Sequence, residues 1–164
     1  VRRIDLLVVH CSANQPSADI GVAEIRRMHQ DLGKTDVGYH RVIRRNGRIE
    51  AGRPIEQVGA HARPYNRHSI GICLIGGIDA RGRAENNFTP AQFEALDDEL
   101  THFFSLYPDA QLCGHRDLSP DLNGDGRITP NEWMKMCPCF DVREWWGQTV
   151  GRTLEPLALP RRGV

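Results

Sequence analysis

The sequence predicts an α/β fold, a single domain with a mixed central β-sheet flanked by helices. Three observations carry that reading. Short runs rich in Val, Leu and Ile, at residues 4–10 and 69–76, have the near-continuous apolar character of buried strands, and 110–114 reads as a further short strand. Segments with apolar residues at helical spacing alternate with those runs. The chain has 164 residues, 40% hydrophobic and 26% charged, enough for one core and too apolar for a disordered segment.

Taken in order, the first strand runs from Ile4 to His10. Val22, Ile25, Met28 and Leu32 fall at helical spacing, with Gly33 placed to end the helix. Asn46-Gly47, between Tyr39–Arg45 and Arg48–Ala51, is a two-residue hairpin signal, because both residue types tolerate positive φ. Ser69 to Gly76 is another buried strand, followed by a charged surface loop to Asn87. Thr89-Pro90 opens a helix as cap and first residue, and Phe93, Leu96, Leu100 and Phe103 form its apolar stripe up to Tyr107. Ala110 to Gly114 is the last strand, and Asp141 opens a helix bearing Trp145 and Trp146. Residues 1–150 make up the domain, and 151–164, ending in a basic Arg161-Arg162 segment, read as a loosely held tail.

The overall charge excludes a general nucleic-acid binder: 21 Lys and Arg balance 21 Asp and Glu. The distribution is uneven, since residues 1–83 carry 14 basic and 8 acidic side chains (+6) and residues 84–164 carry 7 and 13 (−6). No apolar run approaches the roughly 20 residues of a membrane span. Only Leu6–Val9 are continuously apolar before His10, short of the roughly 7 to 15 residues of a signal-peptide core, so synthesis in the cytoplasm is expected. Five cysteines, an odd number in such a chain, favour thiols or metal ligands over disulfides.

Two histidines stand just beyond predicted strand ends, His10 and His115, and Cys137 lies further on. Two imidazoles and a thiolate leave one position of a tetrahedral zinc open to water, the plan of a catalytic site. On spacing alone, two satisfied histidines and a buried thiol remain an equal alternative.

Six stretches in register decide between these readings: Val9–Ala13, Asp36–His40, Val58–Ala62, Asn66–Gly77, Phe88–Gln92 and Cys137–Asp141. Together they resemble the zinc-dependent N-acetylmuramoyl-L-alanine amidases, a family that includes short phage endolysins and peptidoglycan recognition proteins. The resemblance runs from about Ile4 to Gly147. It implies zinc on His10, His115 and Cys137, catalytic roles for Tyr39 and Lys135, and a place for His61 and Asn66 beside the substrate. Cys139 stands where the phage enzymes have serine, which leaves it as an alternative ligand. The implied reaction is hydrolysis of the amide between N-acetylmuramic acid and L-alanine of the peptidoglycan stem, by zinc-activated water. The implied setting is a monomer that reaches the cell wall through a lesion made by a holin. A non-catalytic peptidoglycan-binding module is the alternative, weakened because every ligand and both auxiliary residues are present.

Between His115 and Cys137 lie 21 residues, more than the short phage enzymes have. Asp121–Glu132 matches an EF-hand calcium loop: Asp121, Asn123 and Asp125 supply oxygens at loop positions 1, 3 and 5, and Gly126 the turn. The Arg127 carbonyl, Thr129 through water, and Glu132 complete the pattern. Ser119-Pro120 argues against a regular entering helix, so the expectation is a structural calcium site rather than a sensor.

Overall fold

A computed structural model describes residues 2–159. Eight main elements follow one another: β1 (Leu6–Cys11), α1 (Val22–Asp31), β2 (Arg41–Ile43), β3 (Ile49–Ala51), β4 (Ser69–Leu74), α2 (Pro90–Leu106), β5 (Gln111–Gly114) and α3 (Val142–Val150). The strands form one sheet in the order β3-β2-β4-β1-β5. β2, β4, β1 and β5 are parallel, and β3 pairs antiparallel with β2, which gives the mixed sheet that the sequence predicts.

Side chains alternate across β1. Leu7, Val9 and Cys11 face the main core, where Ile43, Ile70, Ile72 and Leu74 meet Leu96, Leu100 and Phe103 of α2 and Val142 and Trp146 of α3. Leu6 and Val8 face a smaller cluster with Ala62, Tyr65 and Cys113. His10 follows them on this second face, which becomes the site face.

Helix α2 starts as its sequence dictates. Thr89 Oγ1 accepts from Gln92 N (3.1 Å) and Gln92 Oε1 accepts from Thr89 N (3.1 Å), a reciprocal cap. The same Gln92 is fully buried, and its Nε2 donates to the carbonyls of Ile43 (3.2 Å), the last residue of β2, and Ile75 (2.9 Å), just beyond β4. One side chain therefore caps the helix and ties it to two strands.

Two expectations, on the hairpin turn and the C-terminal tail, are corrected by the structure, while α1 forms where its spacing predicts. The β2–β3 hairpin turns through three residues: Arg44 N donates to Arg48 O, Gly47 N donates to Arg44 O, and only Gly47 has positive φ (84°). This is a type I turn with a glycine bulge in place of the two-residue turn, because Asn46 keeps an ordinary φ. In α1, Ile25 is buried but Met28 and Leu32 are 42% and 77% exposed. The cluster beneath that helix, Val37, Val42, Cys73 and Ile75, accepts only its N-terminal half. Finally, α3 continues to Val150, ends at Gly151 in the left-handed conformation, and is followed by an anchored segment. Ala158 and Gln111 exchange hydrogen bonds (2.7 and 2.8 Å), and Leu154, Leu157 and Leu159 pack on the two clusters. The Arg161-Arg162 end lies outside the described residues.

Candidate metal centre and its groove

Parallel pairing of β1 with β5 places Val9 opposite Gly114, so the next residues, His10 and His115, emerge side by side at the C-terminal edge of the sheet. Their ring centroids are 4.5 Å apart. Cys137 arrives from the segment before α3. Cys11 N donates to its Sγ (3.2 Å) and Arg116 N to its carbonyl (2.8 Å), so both strand ends hold it. Gly114 makes this approach feasible, since a Cβ there would stand 2.7 Å from Pro138 Cδ. One ligand atom from each of His10, His115 and Cys137 lies within 4.8 Å of the others, the one such group of His, Cys, Asp and Glu among the described residues. Cys139, the alternative thiol, turns away: its Sγ donates to Gly77 O (3.3 Å) and stands 3.9 Å from Cys11 Sγ. All five cysteines are free.

The two histidine donors are in the right protonation state for a cation. Burial, then the nearby His61, His115 and Lys135, holds His10 well below the ordinary histidine value. Burial followed by Lys135 lowers His115 to about 4. Both rings are therefore neutral at pH 7 and offer a nitrogen lone pair. Neutral imidazole nitrogens with a sulfur are a donor set that suits zinc, and the residues fit such an ion.

Tyr39 lies 5.1 Å from His10, ring to ring, and burial raises its phenol well above the usual value, so it remains a proton donor. His61 is buried, with Nδ1 2.9 Å from His10 Nε2 and Nε2 3.3 Å from Ser69 Oγ. Asn66 Oδ1 accepts from the amides of His61 (2.9 Å) and Ala62 (2.7 Å), so its carbonyl oxygen orders the loop that carries His61. Lys135 is exposed on the rim.

A groove of about 730 Å3 opens beside these residues. His61, Asn66, His115 and Lys135 line it, together with Lys34, Arg63, Leu118 and Met134; no acidic side chain does. None of Lys34, Arg63 and Lys135 has a carboxylate within 4.0 Å among the described residues. The Lys34 ammonium reaches the Ala60 carbonyl (3.2 Å), and burial followed by Arg53 and Lys135 lowers its pKa. Sequence reasoning missed Lys34; its place two residues before the Asp36–Tyr39 stretch was the available signal. A second concavity, about 620 Å3 between α3 and the residues after it, contains none of the predicted site residues.

The Asp121–Glu132 segment folds upon itself. Asp121 accepts from Gly124 N (2.7 Å) and Gly126 N (2.8 Å), Asn123 from Asp125 N (2.9 Å), and Asp125 from Arg127 N (2.8 Å). Glu132 Oε1 accepts from Leu122 N (2.8 Å) and its Oε2 from Thr129 N (2.8 Å). The carboxylates fold the loop upon its own amides, and its acidic groups do not gather at one point as the zinc-type donors do. The segment docks through Arg116, whose guanidinium stacks 3.8 Å over the Trp133 ring, and through Met134 N donating to Ser119 Oγ (3.0 Å). Lys135 is the next residue.

The comparisons with known proteins agree with this geometry. The chain is 46% identical over 140 residues to the endolysin of Klebsiella phage KP32, covering 85% of this chain and 83% of that protein. It is 44% identical over 142 residues to the endolysin of Escherichia phage T7, covering 87% and 85%. The solved structure of the N-acetylmuramoyl-L-alanine amidase LysC from Clostridium intestinale URNW superposes with a TM-score of 0.71 over 92% of this chain and 87% of that one, at 22% identity, a likeness of fold. The family model described as N-acetylmuramoyl-L-alanine amidase matches residues 1–138, and with the paired strand ends, the His-His-Cys group and the relatives' coverage, the chain belongs to that family.

Proposed function

We propose that this protein is a zinc-dependent, endolysin-type peptidoglycan amidase that hydrolyses the bond between the lactyl carbonyl of N-acetylmuramic acid and L-alanine of the stem peptide. The observation that carries this is the His10–His115–Cys137 group at the edge of a basic groove in a chain of the amidase family. When bound, zinc supplies the Lewis acidity that activates water near neutral pH and polarises an amide carbonyl.

The chain's own residues supply the rest. Lys135, on the groove rim, offers a cation where negative charge develops on the scissile carbonyl oxygen. Tyr39, its ring 5.1 Å from that of His10, keeps its O–H and is the neutral donor available beside the metal centre. Lys34 and Arg63 give the groove an unneutralised positive lining that suits the free carboxylates of a stem peptide, and Leu118 and Met134 add an apolar wall. His61 and Asn66 shape the groove where it meets the metal centre. All three donors being present argues for a catalyst over a binding module.

The test is release of free stem peptides from purified cell walls, with zinc quantified in the same sample. One zinc per chain and loss of both metal and activity in Cys137→Ala are expected; metal-free protein at full activity would sink the reading.

The calcium reading rests on the spacing of oxygen ligands in Asp121–Glu132 and on Gly126, whose φ of 80° makes the sharp turn. Those oxygens also accept from backbone amides, which leaves further lone pairs on the Asp121, Asn123 and Asp125 side chains for a cation. A rise in Tm on adding calcium to zinc-loaded protein is expected, and Glu132→Gln should erase it.

A further inference from the structure

Behind the metal centre lies a third imidazole, that of His61. His61 is 8% exposed, and both of its ring nitrogens face protein groups: Nδ1 meets His10 Nε2 at 2.9 Å, and Nε2 meets Ser69 Oγ at 3.3 Å. The rings of His10 and His61 stand at an interplanar angle of 87° with centroids 5.0 Å apart, an arrangement that accommodates a nitrogen-to-nitrogen hydrogen bond. The backbone is cleared for this ring. A Cβ on Gly71 would lie 2.6 Å from His61 Cγ, and one on Gly59 would lie 2.7 Å from its Cδ2. Asn66 fixes the peptide at His61 from the other side.

From this we infer that His61 is a positioning residue for the metal: it orients His10 and sets which nitrogen of His10 is free to ligate. The inference rests on the metal-centre reading above. Since His10 Nε2 is taken by His61, Nδ1 is the nitrogen left for the group with His115 and Cys137. A ring that ligates through Nδ1 keeps its proton on Nε2. His10 then donates, His61 accepts at Nδ1 and carries its own proton on Nε2, and Ser69 Oγ accepts from it. The direction of the whole relay follows from one metal bond. An acceptor behind a ligating imidazole raises the basicity of the ligand and holds its ring in place, and its loss typically costs 10–100-fold in metal affinity.

Two variants and one spectroscopic measurement test this. Zinc affinity is measured by competition with a chelator of known strength, using intact protein. His61→Leu keeps an apolar filling but removes the acceptor, and is expected to weaken zinc binding about 10–100-fold. His61→Asn places Oδ1 near the position of Nδ1 and is expected to recover most of that loss. Nitrogen-15 spectra of the zinc-loaded wild type should show His61 protonated on Nε2 and bare on Nδ1, a readout that does not depend on any variant folding.

Unchanged affinity in His61→Leu, equal losses in the two variants, or the opposite His61 tautomer would each overturn the inference while leaving the metal centre standing. A wild type that binds no zinc would overturn both.

Discussion

At the scale of single residues, the site depends on where positive charge and small volume are placed. Lys135 lines the groove beside His115 and stands free on the rim, and preorganised charge at a developing oxyanion is typically worth 10²–10³ in kcat. Lys135→Ala should therefore lower kcat by about that factor with little change in zinc content. Lys34 lies along the groove, and Lys34→Ala should act mainly on KM for acidic stem peptides; equal effects of the two variants on kcat would contradict the division of roles. Gly71 shows the opposite requirement. Its missing side chain leaves room for the His61 ring, so Gly71→Ala should cost about 1–3 kcal/mol by overpacking and loosen the metal centre, readable as a lower Tm and weaker zinc binding.

At the scale of elements, the segment between β5 and α3 has two duties: it brings Cys137 to the strand ends and Lys135 to the groove. Its one large anchor is the Arg116–Trp133 stack, a contact of a kind worth roughly 0.5–2 kcal/mol. Trp133→Ala should leave the sheet and α2 intact but let the segment drift, with a fall in kcat exceeding any fall in Tm; a variant with unaltered kinetics would show that the loop is held elsewhere. How much of this was legible beforehand depends on the element. Strand β1 and helix α2 carry their own instructions, an unbroken apolar run and a Thr-Pro start with Gln three residues after the cap. Helix α1 showed the same spacing, but what a helix buries depends on the size of the cluster beneath it, which no local pattern states. His10, His115 and Cys137 were legible as residues, whereas their convergence depends on the adjacency of β1 and β5, strands separated by about 100 positions in the chain. The calcium pattern was equally plain in sequence, whereas the backbone amides that the same oxygens accept from follow from the folded loop.

For the molecule as a whole, five imidazoles, of His10, His29, His40, His61 and His115, are held below their ordinary values chiefly by burial. His40 is the clearest, lowered from 6.5 to about 4, with Nδ1 accepting from Gly71 N (3.0 Å) and Nε2 donating to Gln57 O (2.9 Å). An unfolded histidine takes up a proton near pH 6.5 while the folded one does not, so the unfolded state binds more protons as the pH falls. The stabilisation is complete above pH 6.5 and is lost progressively towards pH 4, on the order of 3 kcal/mol for His40 alone. Metal-free protein should show Tm falling steadily from pH 7 to 5, and a flat profile would mean that these rings are not neutral in the fold. The charge asymmetry also finds a place: the acidic half includes the inserted loop, and the basic half supplies Lys34 and Arg63 to the groove.

The pairing of β1 with β5 has one more consequence. Because the two histidines follow strands already locked at Val9–Gly114, the sheet's own spacing acts as the ruler for the ion, and the distance between ligands is settled before any ion arrives. The entropy of bringing the donors together is met by folding, not by binding, unlike small domains that are unfolded without their metal. Chelation should accordingly silence this protein without melting it: the circular dichroism spectrum survives, Tm drops only by the mass-action contribution of the lost ion, and activity returns as fast as zinc can diffuse in.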